Sequence, residues 1–174
     1  MQSDIQMLEG KGINTQGLEI VKDGKTFFWS GKYHNDMNSR DTLATELNVL
    51  ETFTPQVPDS YKDAEVVMLG NLHPMVQMSV IEQMNDPKMV VLDTMNFWMD
   101  IALDDLKKVI AKVDVITIND EEARQLSGAY SLVNASKIIM EMGPKHVVIK
   151  KGEHGALIFY KDCLLYTSDA ADDR

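Results

Sequence analysis

Between Val113 and Phe159 two β-branched runs, Val115 to Ile118 and His146 to Ile149, are separated by sequence that favours helix, and this alternation constrains the fold most tightly. Strands joined through helices of this length lie parallel in one sheet, because a parallel pair needs a crossover and a helix supplies it. A third run, Ala156 to Phe159, follows the second across Gly152-Glu153-His154-Gly155, a spacing that predicts a hairpin turn with positive φ. Ligands of such sheets bind beyond the carboxyl ends of the strands. Asn119 and Gly152 occupy those ends.

Upstream the same alternation continues. Val66 to Leu69 and Met89 to Leu92 read as buried strands, the first followed by Gly70-Asn71-Leu72-His73-Pro74 and the second by Asp93. Pro74 suits a first helical turn, and Val76, Val80 and Met84 are expected on one face of the helix that follows. Leu103, Leu106, Val109 and Ile110 mark another amphipathic helix. The first third differs in texture. Leu8 to Gly17 reads as a helix end and turn, with Gly10 and Gly12 as stop signals and Asn14 suited to left-handed geometry. Leu18 to Val21 and Thr26 to Tyr33 are expected to pair as a hairpin across Asp23-Gly24, with Thr42 to Leu50 closing a small antiparallel sheet. Phe27, Phe28 and Trp29 cannot all face one side of a strand, so at least one is left for a partner. Tyr33 to Asp36 is polar and turn-like, and Thr54 to Ser60, with two prolines, reads as a linker.

At 174 residues, 44% hydrophobic and 25% charged, the chain can bury one good core. Its net charge of −10, with scattered lysines, argues against nucleic acid as a partner. The single cysteine, Cys163, excludes an internal disulfide framework and a multi-cysteine zinc site. No apolar run reaches the roughly 18 residues of a membrane helix, and the opening residues lack a signal-peptide pattern, so the expectation is a cytoplasmic domain without a membrane partner.

Two residue pairs carry candidate chemistry. Asn119 followed by Glu122 matches a helix capping box, and the same helix start at a strand's carboxyl end is where phosphates collect. The glycines at 152 and 155 let backbone approach a ligand closely, and Lys150 or Lys151 either adds positive charge there or faces solvent. No Walker loop and no dinucleotide-binding glycine motif occurs.

In this order the N-x-x-E of Asn119 and Glu122, the Met142-Gly143-Pro144 step and the run VVIKKGEHGALIF resemble the second half of a PfkB/ribokinase-type carbohydrate kinase, from about Leu8 to Asp162. The resemblance implies an α/β, ribokinase-like fold: a mostly parallel sheet flanked by helices, with a small β lid. Residues 1–53 would then hold a helix end and part of the lid, and 54–162 part of a nucleotide-binding core. It implies ATP and Mg²⁺ as cofactors, held by Asn119, Glu122, Lys150, Gly152 and Gly155, with Glu122 acting on the metal through water, since Mg²⁺ keeps much of its hydration shell. Phe28, Gly70 and Asn71 would face a sugar or nucleoside, and the lid is a candidate homodimer surface. For Gly70 and Asn71 the alternative is a plain βα turn capped by His73; for Phe28 it is packing of the lid on the main domain or against a second subunit. Asp93-Thr94-Met95-Asn96 resembles the family's D-P-N segment with two departures, Thr94 for proline and an asparagine one place late. The family's catalytic aspartate sits in a G-A-G-D segment, and no G-x-G-D occurs in these residues. The expectation is a kinase fragment truncated at both ends, inactive by itself, whose residues 163–174 lose the strand pattern and are non-native; the alternative is a non-catalytic nucleotide- or partner-binding domain.

Overall fold

The β-branched runs form the parallel strands that their helical connections require. In the computed structural model, which describes residues 2–35, 40–161 and 163–167, two units divide between Lys62 and Asp63. The second unit runs β3 (Val66–Leu69), α2 (Pro74–Gln83), β4 (Met89–Asp93), α3 (Asn96–Ile101), α4 (Leu103–Ile110), β5 (Val115–Asn119), α5 (Asp120–Ser127), α6 (Leu132–Glu141), β6 (His146–Lys150), β7 (Ala156–Tyr160) and β8 (Cys163–Thr167). Its six strands lie in chain order; β3 to β6 are parallel, and β7 and β8 add on antiparallel. Alternate strand residues, Val67, Leu69, Val90, Leu92, Ile116, Ile118, Val147 and Ile149, enter one core with Leu106, Val109 and Ile110 of α4 and Ala135 and Ile139 of α6. Parallel strands bury their inward side chains under crossover helices in this way.

At the amino ends of the strands Asp114 ties three of them together. Its Oδ2 accepts from the Val90 amide at 3.0 Å and its backbone carbonyl from the amides of Lys145 and His146, while Oδ1 meets Lys145 Nζ at 2.7 Å. The Lys145 ammonium holds the Asp114 carboxyl below its ordinary range against the opposing effect of burial, with the Val90 amide adding to it. The Met142-Gly143-Pro144 step also has a packing cause: Gly143 has φ 143°, and a Cβ there would come within 2.7 Å of Ala111 Cα and 3.0 Å of the Ile110 carbonyl.

Two expectations for this unit change. The buried stripe of α2 runs through Pro74 and Gln77, with Met78, Val80, Ile81 and Met84 packed beside it; Val76 is not part of it. Residues 163–167 are a strand, β8, paired with β7 from Tyr160↔Cys163 to Ala156↔Thr167, so the strand pattern does not end at Asp162. Thr167 Oγ1 reinforces the pairing, accepting from the Ala156 amide at 3.0 Å. Residues 168–174 of the expected tail lie outside the described residues, as does Asp36.

The first unit contains α1 (Gln2–Gly10) and a two-stranded antiparallel sheet, β1 (Phe28–Tyr33) and β2 (Arg40–Glu46). Helix α1 stops where its glycines predicted, with Gly12 at φ 78°. Asn14 is not left-handed; its Oδ1 accepts from the Gln16 amide in a local turn. The hairpin expected across Asp23-Gly24 is absent among the described residues, and β1 pairs with β2 instead. The unit also extends past the expected break after residue 53. Tyr61 keeps the linker with it, its hydroxyl donating to the Asn14 carbonyl at 2.6 Å and accepting from the Gly17 amide at 3.3 Å.

Candidate functional site

Strands β4, β5 and β6 end beside one another, and their last residues define the site. Asp93 closes β4, Asn119 closes β5 opposite Lys150, and Lys150 closes β6. Lys150 Nζ reaches past the end of β5 to Asp93 Oδ1 at 3.1 Å, so the two outer strand ends are joined by an ion pair across the middle one. Both side chains keep contact with solvent. Lys150 is thus half exposed and at the same time paired with Asp93. Lys151 turns elsewhere, its Nζ 5.5 Å from the Tyr166 ring centre.

Asn119 caps α5. Its Oδ1 accepts from the Glu122 amide at 2.8 Å, and Glu122 Oε2 accepts from the Asn119 amide at 2.7 Å, a closed capping box. Glu122 is only 4% exposed. Asp120 and Glu121 complete an acidic first turn, where negative charge meets the positive end of the helix dipole. The capping role of this pair is therefore part of the structure. Next along the sheet end, Gly152 (φ 56°) and Gly155 (φ 81°) bracket a single 3₁₀ turn between β6 and β7, with the positive φ expected of that turn. Within it the Gly155 amide donates to the Gly152 carbonyl at 3.2 Å.

On the other side, Gly70 and Asn71 follow β3. A Cβ at Gly70 would meet nothing within 4 Å, so the position opens onto free space. Asn71 Oδ1 accepts from Trp98 Nε1 at 2.8 Å, and His73 caps α2 through Nδ1, which accepts from the Met75 amide at 3.2 Å. The cap expected of His73 is present. Trp98 is held edge-on between His73 and Phe97, with ring centres 5.2 and 4.8 Å away. Asn96 bonds to Gln125 on α5. Phe28 belongs to the first unit, where its ring is 51% exposed on β1; Trp29 instead lies over Gly31, where a Cβ would meet the indole at 2.2 Å, and bonds to Thr42 Oγ1.

Two participants had no clear sequence signature. Gln77, on the buried stripe of α2, donates through Nε2 to the Gly70 carbonyl at 2.8 Å and the Asp93 carbonyl at 3.0 Å. Its signal was a polar residue within an otherwise apolar helical face. The Lys150–Asp93 pairing joins residues 57 apart, which no local pattern reveals. Among the described residues no group of three His, Cys, Asp or Glu side chains gathers to hold a metal. The oxygen donors of Asp93, Asn119 and Glu122 nevertheless suit Mg²⁺, which commonly takes one or two carboxylates and fills its shell with water and phosphate. Among the described residues no helix is long and apolar enough to cross a membrane.

A family model described as pfkB family carbohydrate kinase matches residues 3–171. A cytidine kinase of Thermococcus kodakarensis is 27% identical over 151 residues, which is 84% of this chain and 53% of that protein. Among solved structures, a putative ribokinase II from E. coli in complex with ATP and Mg²⁺ superposes with a TM-score of 0.74 at 16% identity, covering 96% of this chain and 57% of that one. The Burkholderia thailandensis nucleoside kinase in complex with inosine gives 0.72 at 16% identity, covering 99% and 57%. The chain thus spans about half the length of these relatives. With its ribokinase-like sheet and the family match running through nearly all of its length, the chain belongs to the pfkB family of carbohydrate kinases.

Proposed function

We propose that this chain is part of an ATP-dependent kinase that transfers the γ-phosphoryl group to a hydroxyl of a nucleoside or sugar. The observation that carries the reading is the gathering at one sheet end of the Lys150–Asp93 pair, the capped start of α5 and the Gly152–Gly155 turn. A helix start and glycine backbone suit phosphate, and a lysine adds compensating charge. Asn119 and Glu122 are proposed to orient the phosphates and the hydrated metal, Gly152 and Gly155 to admit the nucleotide, and Lys150 to exchange its pairing with Asp93 for a phosphate oxygen. When bound with ATP, Mg²⁺ neutralises charge on the phosphate oxygens. Gly70 and Asn71 are proposed to form the floor for the acceptor.

In the transfer the acceptor oxygen bonds to the γ-phosphorus, the bond from that phosphorus to the β–γ bridging oxygen breaks, ADP leaves, and a base takes the hydroxyl proton. The family draws that base from a G-x-G-D segment, which these 174 residues do not contain, so we expect them to bind ATP without turning it over. The exposed Phe28 is proposed as a contact for the acceptor or for a second copy of the chain; Phe28→Ala should raise the acceptor KM or dissociate a dimer. A non-catalytic nucleotide-binding role is the alternative, favoured by the way Asn119 and Glu122 already satisfy each other.

The test is ADP release with Mg²⁺ and a panel of ribose, cytidine and inosine, measured on the complete gene product and on residues 1–174. Acceptor-stimulated turnover by the complete product supports the kinase reading. ATP binding by the complete product without any acceptor-stimulated turnover would overturn it in favour of the non-catalytic one.

A further inference from the structure

Strands β3 and β4 keep their parallel register as far as Leu69↔Leu92. The next residues in that register, Gly70 and Asp93, present their carbonyls to the side chain of Gln77 instead of continuing the ladder. Two carbonyl acceptors at 2.8 and 3.0 Å require the NH₂ end of the amide to face them. Gln77 Oε1 is therefore turned away, buried and without a hydrogen-bond partner among the described residues, in a residue only 2% exposed. An unmet buried acceptor is costly, and a residue chosen for packing alone would not carry one.

What the amide holds is more telling than its own position. Gly70 leads directly into Asn71, whose side chain takes the Trp98 indole N–H, and Asp93 carries the carboxylate that pairs with Lys150. One side chain thus fixes the spacing between the candidate acceptor floor and the candidate phosphate-side ion pair. From this we infer that Gln77 is a positioning residue for the transfer reaction: its amide sets where Asn71 stands relative to Asp93, and so where the acceptor hydroxyl meets the phosphoryl group. The inference rests on the kinase reading proposed above. Displacements of about an ångström in such a frame cost up to roughly a hundredfold in rate, because the reacting atoms must approach in line.

The test replaces Gln77 with methionine, similar in length but without N–H donors, in the complete gene product. Expected is a fall of about tenfold or more in kcat/KM for the acceptor, with a shift of the Trp98 indole N–H resonance and none of Trp29, the other tryptophan of these 174 residues. Wild-type acceptor kinetics and an unmoved Trp98 resonance in the folded variant would overturn the inference. If Gln77→Met does not fold, the wild type decides: the Gln77 side-chain NH₂ resonances should shift on titration with whichever of cytidine, inosine or ribose is turned over, and their failure to move would overturn it. A wild type that turns over none of these acceptors defeats the kinase reading instead, while the Trp98 resonance in Gln77→Met still reports whether Gln77 positions Asn71.

Discussion

Replacing Glu122 with glutamine separates the capping role seen in the structure from the proposed role toward nucleotide and metal. Glutamine has the same length and retains a carbonyl acceptor, so it can still receive the Asn119 amide that Oε2 now accepts at 2.7 Å, and the reverse bond from the Glu122 amide to Asn119 Oδ1 does not involve the side chain exchanged. Lost are the charge assistance of one hydrogen bond and the favourable carboxylate at the start of α5, together about 1 to 2 kcal/mol. Relief of a charge buried at 4% exposure opposes this, so the net loss is about 1 kcal/mol or less. Glu122→Ala removes the acceptor altogether, leaves the Asn119 amide unmet and opens space beside it, for about 2 to 3 kcal/mol. Thermal unfolding should rank wild type, Gln and Ala in that order, with Gln close to wild type. If Glu122 also serves the nucleotide, the Gln variant of the complete gene product loses about a hundredfold in turnover, and its Mg²⁺ dependence moves to higher concentration. Unchanged turnover and unchanged Mg²⁺ dependence in a folded Gln variant would refute the second role and leave Glu122 as a cap.

Two further outcomes concern the frame around the site. Asp114→Asn should cost about 1 kcal/mol at pH 7, from loss of the ion pair with the largely exposed Lys145 and of the charge assistance in the bond to the Val90 amide; because Lys145 first, and the Val90 amide with it, hold the folded carboxyl below its ordinary value, that stabilisation is present above the unfolded pKa of about 3.9 and disappears as pH falls through the folded one, so urea midpoints of the two proteins should converge in acid. Gly143→Ala should destabilise by about 2 to 4 kcal/mol, combining the strain of φ 143° with overlap against Ala111 and Ile110, seen as a urea midpoint well below that of Gly128→Ala, whose Cβ meets nothing.

The legible parts of the sequence were those where one physical requirement governs a run of residues. Val115 to Asn119 and His146 to Lys150 are strands because alternate side chains must enter a core, and the crossover between them forces parallel pairing. The capping box and the two turn glycines were legible for a similar reason: each is a contact within four residues. The Asp23-Gly24 hairpin failed on a finer requirement. A two-residue hairpin turn of the types that suit strand twist needs positive φ at its first central residue, yet in the turn closed by Gly24 N–H on the Val21 carbonyl that residue, Lys22, is not positive and only Asp23, the second, is, at 63°. The following backbone bonds elsewhere instead, Lys25 to the Val49 amide and Thr26 to the Asn48 side chain.

Residues 163–167 were misread for the opposite reason. An edge strand whose side chains are mostly exposed has no core to enforce alternation, so Leu164 and Leu165 can stand side by side while the backbone pairs normally with β7. The candidate site shows the same division between local and distant causes. Asn119, Glu122, Gly152 and Gly155 could be found because local geometry selects them. Gln77 and the Lys150–Asp93 pair could not, because their partners come from neighbouring strands and become adjacent only when the sheet forms. What the sequence hides is thus what holds the strand ends at fixed distances, and it is on those distances that a transfer between two bound molecules depends.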